Sequence, residues 1–147
     1  MKITIGSDHR GYALKESLKK AFSAAGVNAS IEWIDVGTDS EERVDYPIFA
    51  ARVCEKIEEG VAERGVLICG SGIGVSIAAN RHKKIYAALC WSIEVAKAAR
   101  QHDRANVLVL PADFISENEA ISIVEAWLHT EFLGGRYKSR LDMIDAI

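Results

Sequence analysis

Proline is scarce in this sequence: there are two in 147 residues, and no low-complexity stretch accompanies them. Nothing therefore reads as a linker, and a single domain over 1–147 is expected. Cysteine is equally sparse. Cys54, Cys69 and Cys90 are odd in number and far apart, which fits neither a disulfide framework nor a zinc-binding C-x-x-C pair. Charge of one sign is lacking too. Eighteen basic side chains face 21 acidic ones, for a net charge of −3, and no basic run gives a nucleic acid anything to hold. No apolar stretch approaches the roughly 20 residues of a membrane helix, and MKITIGSDH enters a strand pattern with no signal peptide before it. The expectation is a cytoplasmic protein with reduced thiols and neither nucleic-acid nor membrane partners. What is present is ordinary for a globular domain: 49% apolar and 27% charged residues, enough to bury a sizeable core.

Strand-like and helix-like segments alternate along the chain. Residues 2–6 (KITIG) read as a strand, followed by a helix with Leu14, Leu18, Ala21, Phe22 and Ala25 on one face, stopped by Gly26. Residues 31–37 form a second strand. Asp45 before Pro47 starts a helix that carries Ile48, Ala51, Cys54 and Ile57 inward and ends at Gly60. The continuous apolar run 65–69 (GVLIC) is typical of a strand buried on both faces. A short helix reaches about Asn80, residues 85–90 give a fourth strand, and Ser92 caps a helix to about Gln101. Residues 106–110 are the fifth strand. Ser116 with Glu119 makes a capping box for a helix ending near Leu133. After Gly134 and Gly135, a last helical stretch over about 136–147 carries Leu141, Ile144 and Ile147. Five strands with helical crossovers predict a Rossmann-like three-layer α/β/α sandwich around a five-stranded parallel sheet. Ligands of such folds sit beyond the carboxyl ends of the strands.

Two strand ends are chemically loaded. One is Gly6-Ser7-Asp8-His9-Arg10-Gly11; the other is Cys69-Gly70-Ser71-Gly72-Ile73-Gly74. Glycines at alternate positions let backbone N–H groups converge on an anion. By themselves, though, they are better explained by tight strand–helix packing, and neither a Walker loop nor G-x-G-x-x-G is matched. Cys69 changes that balance. Cys54 and Cys90 read as inert core residues, whereas Cys69 borders the glycine loop, where a helix terminus lowers a thiol pKa. An ordinary thiol is only a few per cent thiolate at neutral pH, a deficit of about 2 kcal/mol that a helix end and a nearby cation can supply. A thiolate beside N–H donors suits abstraction of a proton next to a carbonyl, with the donors holding the resulting enediolate.

Of the four histidines, His82 and His129 read as structural. His9 follows a strand end and could donate to an anion. His102 follows a helix, which places it by topology at the edge of the sheet opposite the carboxyl ends. If it is catalytic, it enters a neighbouring subunit's site. Arg136 and Arg140 are four apart and share a helix face. They are either a solvated charged surface or a pair of guanidinium groups clamping a phosphate, and composition does not decide between these.

The segments GSDHRGYALK, ERVDYPIFA, ICGSGIGVSIAAN, ARQHDRANVL and AWLHTEFLGGRYKSR, in this order and over nearly the whole chain, resemble ribose-5-phosphate isomerase B and its galactose-6-phosphate isomerase relatives. The resemblance implies an aldose–ketose isomerase with no metal or other cofactor, a homodimer or dimer of dimers whose sites draw on two subunits. It implies that Cys69 moves the proton between C1 and C2, that Ser71 assists, and that the loop of Gly70, Ser71, Gly72, Ile73 and Gly74 binds the enediolate. His102 would help open the sugar ring with Asp8 nearby; His9, Arg136 and Arg140 would contact substrate, the arginines at its phosphate. Two positions depart from the family pattern: Asp103 replaces the usual Asn after the ring-opening histidine, and Asp113 stands where Gly-x-Arg usually follows the fifth strand. Asp103 in the substrate site would repel the enediolate if it points inward, and Arg10 or Arg104 could replace the lost cation. The substrate expected is ribose 5-phosphate. The alternatives are a six-carbon allose or galactose 6-phosphate, or a non-catalytic sugar-phosphate-binding subunit.

Overall fold

The computed structural model describes residues 1–23 and 31–147. Five parallel strands, β1 (Lys2–Ser7), β2 (Glu32–Asp35), β3 (Arg64–Cys69), β4 (Ala87–Leu89) and β5 (Val107–Pro111), lie in the order β2-β1-β3-β5-β4. Between and after them run α1 (Tyr12–Ala21), α2 (Tyr46–Glu58), α3 (Ile73–Ala79), α4 (Ile93–Asp103), α5 (Glu117–His129) and α6 (Arg136–Asp145). The period of two along the central strands divides the core. Val66, Ile68, Leu108 and Leu110 pack with Leu18, Ala96, Ile123 and Trp127 of α1, α4 and α5 on one face. Leu67, Cys69, Val107 and Val109 pack with Val53, Cys54, Val75 and Ala79 of α2 and α3 on the other. This is the expected three-layer sandwich; each fully buried Leu or Ile contributes about 1.5–3 kcal/mol.

The caps form as the sequence predicts. Ser92 Oγ accepts the Val95 N–H (3.2 Å); Ser116 Oγ accepts from Glu119, whose carboxylate accepts the Ser116 N–H in return. Boundaries and one helix phase differ. The inward face of α2 is Phe49, Ala50, Val53 and Cys54, while Ile48 is 50% exposed. The segment YPIFAARVC has apolar residues at so many positions that periodicity does not fix its phase. α5 stops at His129 because Thr130 is extended and its Oγ1 donates to the Ala126 carbonyl (2.6 Å). β4 is short, since the amides of Asn80 and Asn106 bond the backbone of Ala87, Tyr86 and Lys84. α1 ends at Ala21, and the expected stop at Gly26 lies outside the described residues.

From β1 the chain moves to one side for β2 and then to the other for β3. The carboxyl ends of β1 and β3 therefore flank a switch point, the place where open α/β sheets bind ligands. Among the described residues no helix is long and apolar enough to cross a membrane.

Candidate active site

Asp8 leaves β1 with its N–H on the Ile68 carbonyl (3.2 Å). Its Oδ1 accepts the N–H groups of Arg10 (2.9 Å) and Gly11 (3.1 Å), which holds the carboxylate in place at 6% exposure. Next to it, His9 Nδ1 accepts the Val44 N–H (3.2 Å). That bond puts the ring proton on Nε2 and makes it a donor.

Cys69 closes β3, and its Sγ accepts the Gly72 N–H at 3.2 Å. Burial pushes this thiol above its ordinary pKa; bonds from the Val75 and Gly72 N–H groups oppose the rise, the charge of Asp8 adds to it, and the Ser71 N–H opposes it again. The net direction is upward. The sequence expectation of a lowered thiol pKa is thus corrected for the single chain: at 5% exposure, desolvation outweighs the loop's donors. Cys54 and Cys90, which burial pushes up to about 12, are inert as expected.

The glycines of the loop have specific tasks. Gly72 has φ +74°, and a β-carbon there would stand 2.5 Å from Leu89 Cδ1. A β-carbon on Gly74 would run into the Tyr46 ring. Ser71 Oγ accepts the Ile73 N–H (3.2 Å), leaving its own O–H to donate. The turn after β5 is fastened to this loop through Ala112 N–H to Cys69 O (2.9 Å) and Asp113 N–H to Gly70 O (3.0 Å). Together Asp8, Arg10, Tyr46, Cys69, Ser71, Asp113 and Phe114, with Gly70 and Gly74, enclose a cavity of about 400 Å³.

His102, Asp103, Arg136 and Arg140 are not in this cavity. His102 and Asp103 form the last turn of α4, just before β5. In the register, Val107 at the start of β5 faces Gly65, whereas Cys69 faces Pro111 at its end. His102 therefore sits at the amino edge and Cys69 at the carboxyl edge, roughly 15 Å of strand apart. Asp103 is exposed and, in its own chain, faces no part of the Cys69 cavity. At the amino edge His102 stacks on Tyr137 (centroids 4.6 Å apart, planes at 16°). Arg136 and Arg140 lie over the same ring at 5.1 and 5.6 Å, and Arg136 Nη2 donates to the Tyr137 hydroxyl (3.1 Å). One aromatic ring thus gathers three of the residues that the resemblance singles out.

Sequence reasoning missed Tyr46, Phe114 and Tyr137. Tyr46 and Tyr137 lie inside matched segments, and an aromatic residue between two helical arginines is a readable sign of a stacking platform. Of the two candidate cations, Arg10 Nη2 meets Asp113 Oδ2 at 3.1 Å in the cavity, while Arg104 lies over Phe132 (5.9 Å) beyond α4. Among the described residues no group of three or more His, Cys, Asp or Glu side chains could together hold a metal ion.

Residues 3–144 match the Ribose/Galactose Isomerase family. The ribose-5-phosphate isomerase B of Escherichia coli (strain K12) is 40% identical over 146 residues, covering 99% of this chain and 95% of that one. The crystal structure of a Thermotoga maritima ribose 5-phosphate isomerase is 45% identical and superposes with a TM-score of 0.94, over 99% of this chain and 98% of that chain. The Mycoplasma genitalium ribose-5-phosphate isomerase B, solved with bound ribulose 5-phosphate, is 39% identical with a TM-score of 0.91, over 99% and 94% of the two chains.

Proposed function

The chain belongs to the ribose/galactose isomerase family, and from that premise we propose that it interconverts ribose 5-phosphate and ribulose 5-phosphate through a cis-enediolate, with Cys69 as the base. The observation that carries this reading is Cys69 Sγ at the mouth of β3, bonded by the Gly72 N–H in a loop whose other donors also stabilise a thiolate. The similarity to the Mycoplasma genitalium protein with bound ribulose 5-phosphate favours the five-carbon substrate.

In the open-chain aldose the thiolate takes the proton from C2. The C–H electron pair becomes the C1–C2 double bond, and the carbonyl pair moves onto O1. N–H groups of residues 70–74 hold this oxyanion, each well-placed donor contributing about 3 kcal/mol to the transition state. Ser71 carries the proton from O2 to O1. The thiol then returns its proton to C1, and O2 becomes the ketone. His9, through Nε2, and Asp8 hold the substrate at the β1 side.

His102 opens the sugar ring and Arg136 and Arg140 take the phosphate, all three from a second copy of the chain in a homodimer or a dimer of dimers. Support for that division comes from their distance from Cys69 within one chain and from the exposed Met143 and Ile144 on α6, apolar surface for the neighbouring subunit. Cations brought in this way lower the Cys69 thiol pKa that burial raises. A coupled assay on ribose 5-phosphate, allose 6-phosphate and galactose 6-phosphate tests the reading. Ribose 5-phosphate should turn over fastest, in chelator-treated protein, and Cys69→Ala should abolish turnover in a folded protein. Substantial turnover by Cys69→Ala, or a clear preference for a six-carbon substrate, would overturn it.

A further inference from the structure

Resting on the isomerase reading above, we propose that Arg10 contacts the substrate's anionic groups from this chain's side of the cavity and that Asp113 is the residue that positions it. Three observations converge. First, Arg10 is the one cationic side chain among the described residues lining the cavity, against Asp8 and Asp113. The thiolate, the enediolate and the phosphate are all negative, so a cavity with two carboxylates needs that charge. Second, the arm of Arg10 lies across the catalytic loop: its Cδ and Nε are 3.0 and 3.2 Å from where a β-carbon on Gly70 would stand. Third, both ends of the ion pair are anchored to the site, the Arg10 N–H on Asp8 Oδ1 (2.9 Å) and the Asp113 N–H on Gly70 O (3.0 Å).

Fold stability does not account for the pair. The Arg10 and Asp113 side chains are 60% and 37% exposed, and ion pairs that open to water contribute little to the folded state. The closest approach of the pair is Nη2 to Asp113 Oδ2 (3.1 Å); a guanidinium carries five N–H donors, more than one carboxylate occupies, so donors remain for substrate oxygens. Asp113 also carries a charge of its own, which taken alone repels an anionic substrate. Positioning and repulsion predict opposite effects of removing it.

The test compares Arg10→Ala, Arg10→Lys, Asp113→Asn and the double variant Arg10→Ala/Asp113→Asn in kinetics on ribose 5-phosphate. In parallel, inorganic phosphate is used to protect Cys69 from iodoacetamide, read by mass spectrometry, a measurement that needs no turnover. Arg10→Ala should raise KM about tenfold or more, as loss of a charged hydrogen bond does, with a smaller change in kcat and weaker phosphate protection. Arg10→Lys should recover part of the loss. Asp113→Asn should raise KM severalfold in the wild-type background but not in Arg10→Ala, where there is no guanidinium to position and only relief of its own repulsion remains. Melting temperatures should stay within about 2 °C of wild type. A lower KM in Asp113→Asn, unchanged KM and protection in Arg10→Ala, or no phosphate protection in the wild type would each overturn the proposal. If ribose 5-phosphate is not turned over, the isomerase reading fails on its own, and the protection experiment still decides the role of Arg10.

Discussion

Replacing Tyr137 with leucine should cripple the amino-edge cluster without unfolding the protein. The ring carries His102 in a near-parallel stack at 4.6 Å and lies beneath the guanidinium groups of Arg136 and Arg140. An aromatic pair of this geometry contributes about 0.5–1.5 kcal/mol beyond its buried area, and the ring under Arg140 adds about 0.5 kcal/mol. Loss of both corresponds to roughly a 5- to 30-fold fall in kcat/KM. The fall should divide between kcat, through a disordered His102, and KM, through the arginines. Tyr137→Phe keeps the ring and removes only the hydroxyl that accepts from Arg136 Nη2 (3.1 Å), so it should stay within about threefold of wild type. Steady-state kinetics on ribose 5-phosphate, with circular dichroism to confirm folding, makes the comparison. A folded Tyr137→Leu with wild-type kcat/KM would refute the platform, and so would a Tyr137→Phe as damaged as the leucine variant.

Inactive Cys69→Ala and His102→Ala proteins, mixed in equal amounts and allowed to exchange subunits, should recover about a quarter of wild-type activity. Half of randomly paired dimers are hybrids, and each hybrid holds one intact site of two; demonstrated exchange without recovery would count against a shared site. Asp8→Asn removes a charge that pushes the Cys69 thiol pKa up, so the pH curve for iodoacetamide alkylation of Cys69 should move to lower pH; a curve that stays put or moves up would show that Asp8 does not act through its charge. Partial desolvation pushes the Asp35 carboxyl up, but hydrogen bonds from Lys15 and Lys19 (2.6 Å each) outweigh it and hold the group below the ordinary carboxylate range. Its stabilising contribution is therefore present above the usual carboxylate pKa and is lost as pH falls through the lowered one. Asp35→Asn should cost up to about 3 kcal/mol in urea unfolding at pH 7, since Lys15 is fully buried and among the described residues is left with Glu16 (3.2 Å) as its one carboxylate partner, and should flatten the acid limb; an unchanged midpoint at pH 7 would contradict this.

The parts of the fold legible in the sequence are those set by local chemistry. The apolar runs of β3 and β5 are sheathed on both faces, and Ser92 and the Ser116–Glu119 pair cap their helices through bonds spanning three residues. The phase of α2 was not legible, because Ile48 and Phe49 are equally apolar and only the sheet beneath decides which turns inward. The direction of the Cys69 shift was illegible for the same reason. Helix termini are visible in a sequence, whereas desolvation depends on what Leu67, Val75 and Val109 pack around the thiol. The Arg10–Asp113 pair joins distant segments, so the two residues look like separate anomalies until the turn after β5 lies against the glycine loop.

The division of the proposed site between two chains follows from how this fold is connected. Every crossover brings the chain out of the sheet at a carboxyl edge and returns it along a helix to an amino edge. Strand exits such as Asp8 and Cys69 gather at one edge, and helix ends such as His102 at the other. A single chain could unite the two groups only with a long excursion, and the connections near these residues are short: Arg104, Ala105 and Asn106 alone join α4 to β5. The route left is a second copy docked so that its α4 end and α6 cover the first copy's strand exits. A two-fold axis then makes the arrangement reciprocal, completing both sites at once. It also divides the charges. The cavity of one chain holds Asp8 and Asp113 against Arg10, while Arg136 and Arg140 stand apart on the Tyr137 ring. Under the proposal Arg136 and Arg140 meet the buried thiol only when the subunits do: burial holds the thiol pKa up in a single chain, and the second copy's cations would bring it down.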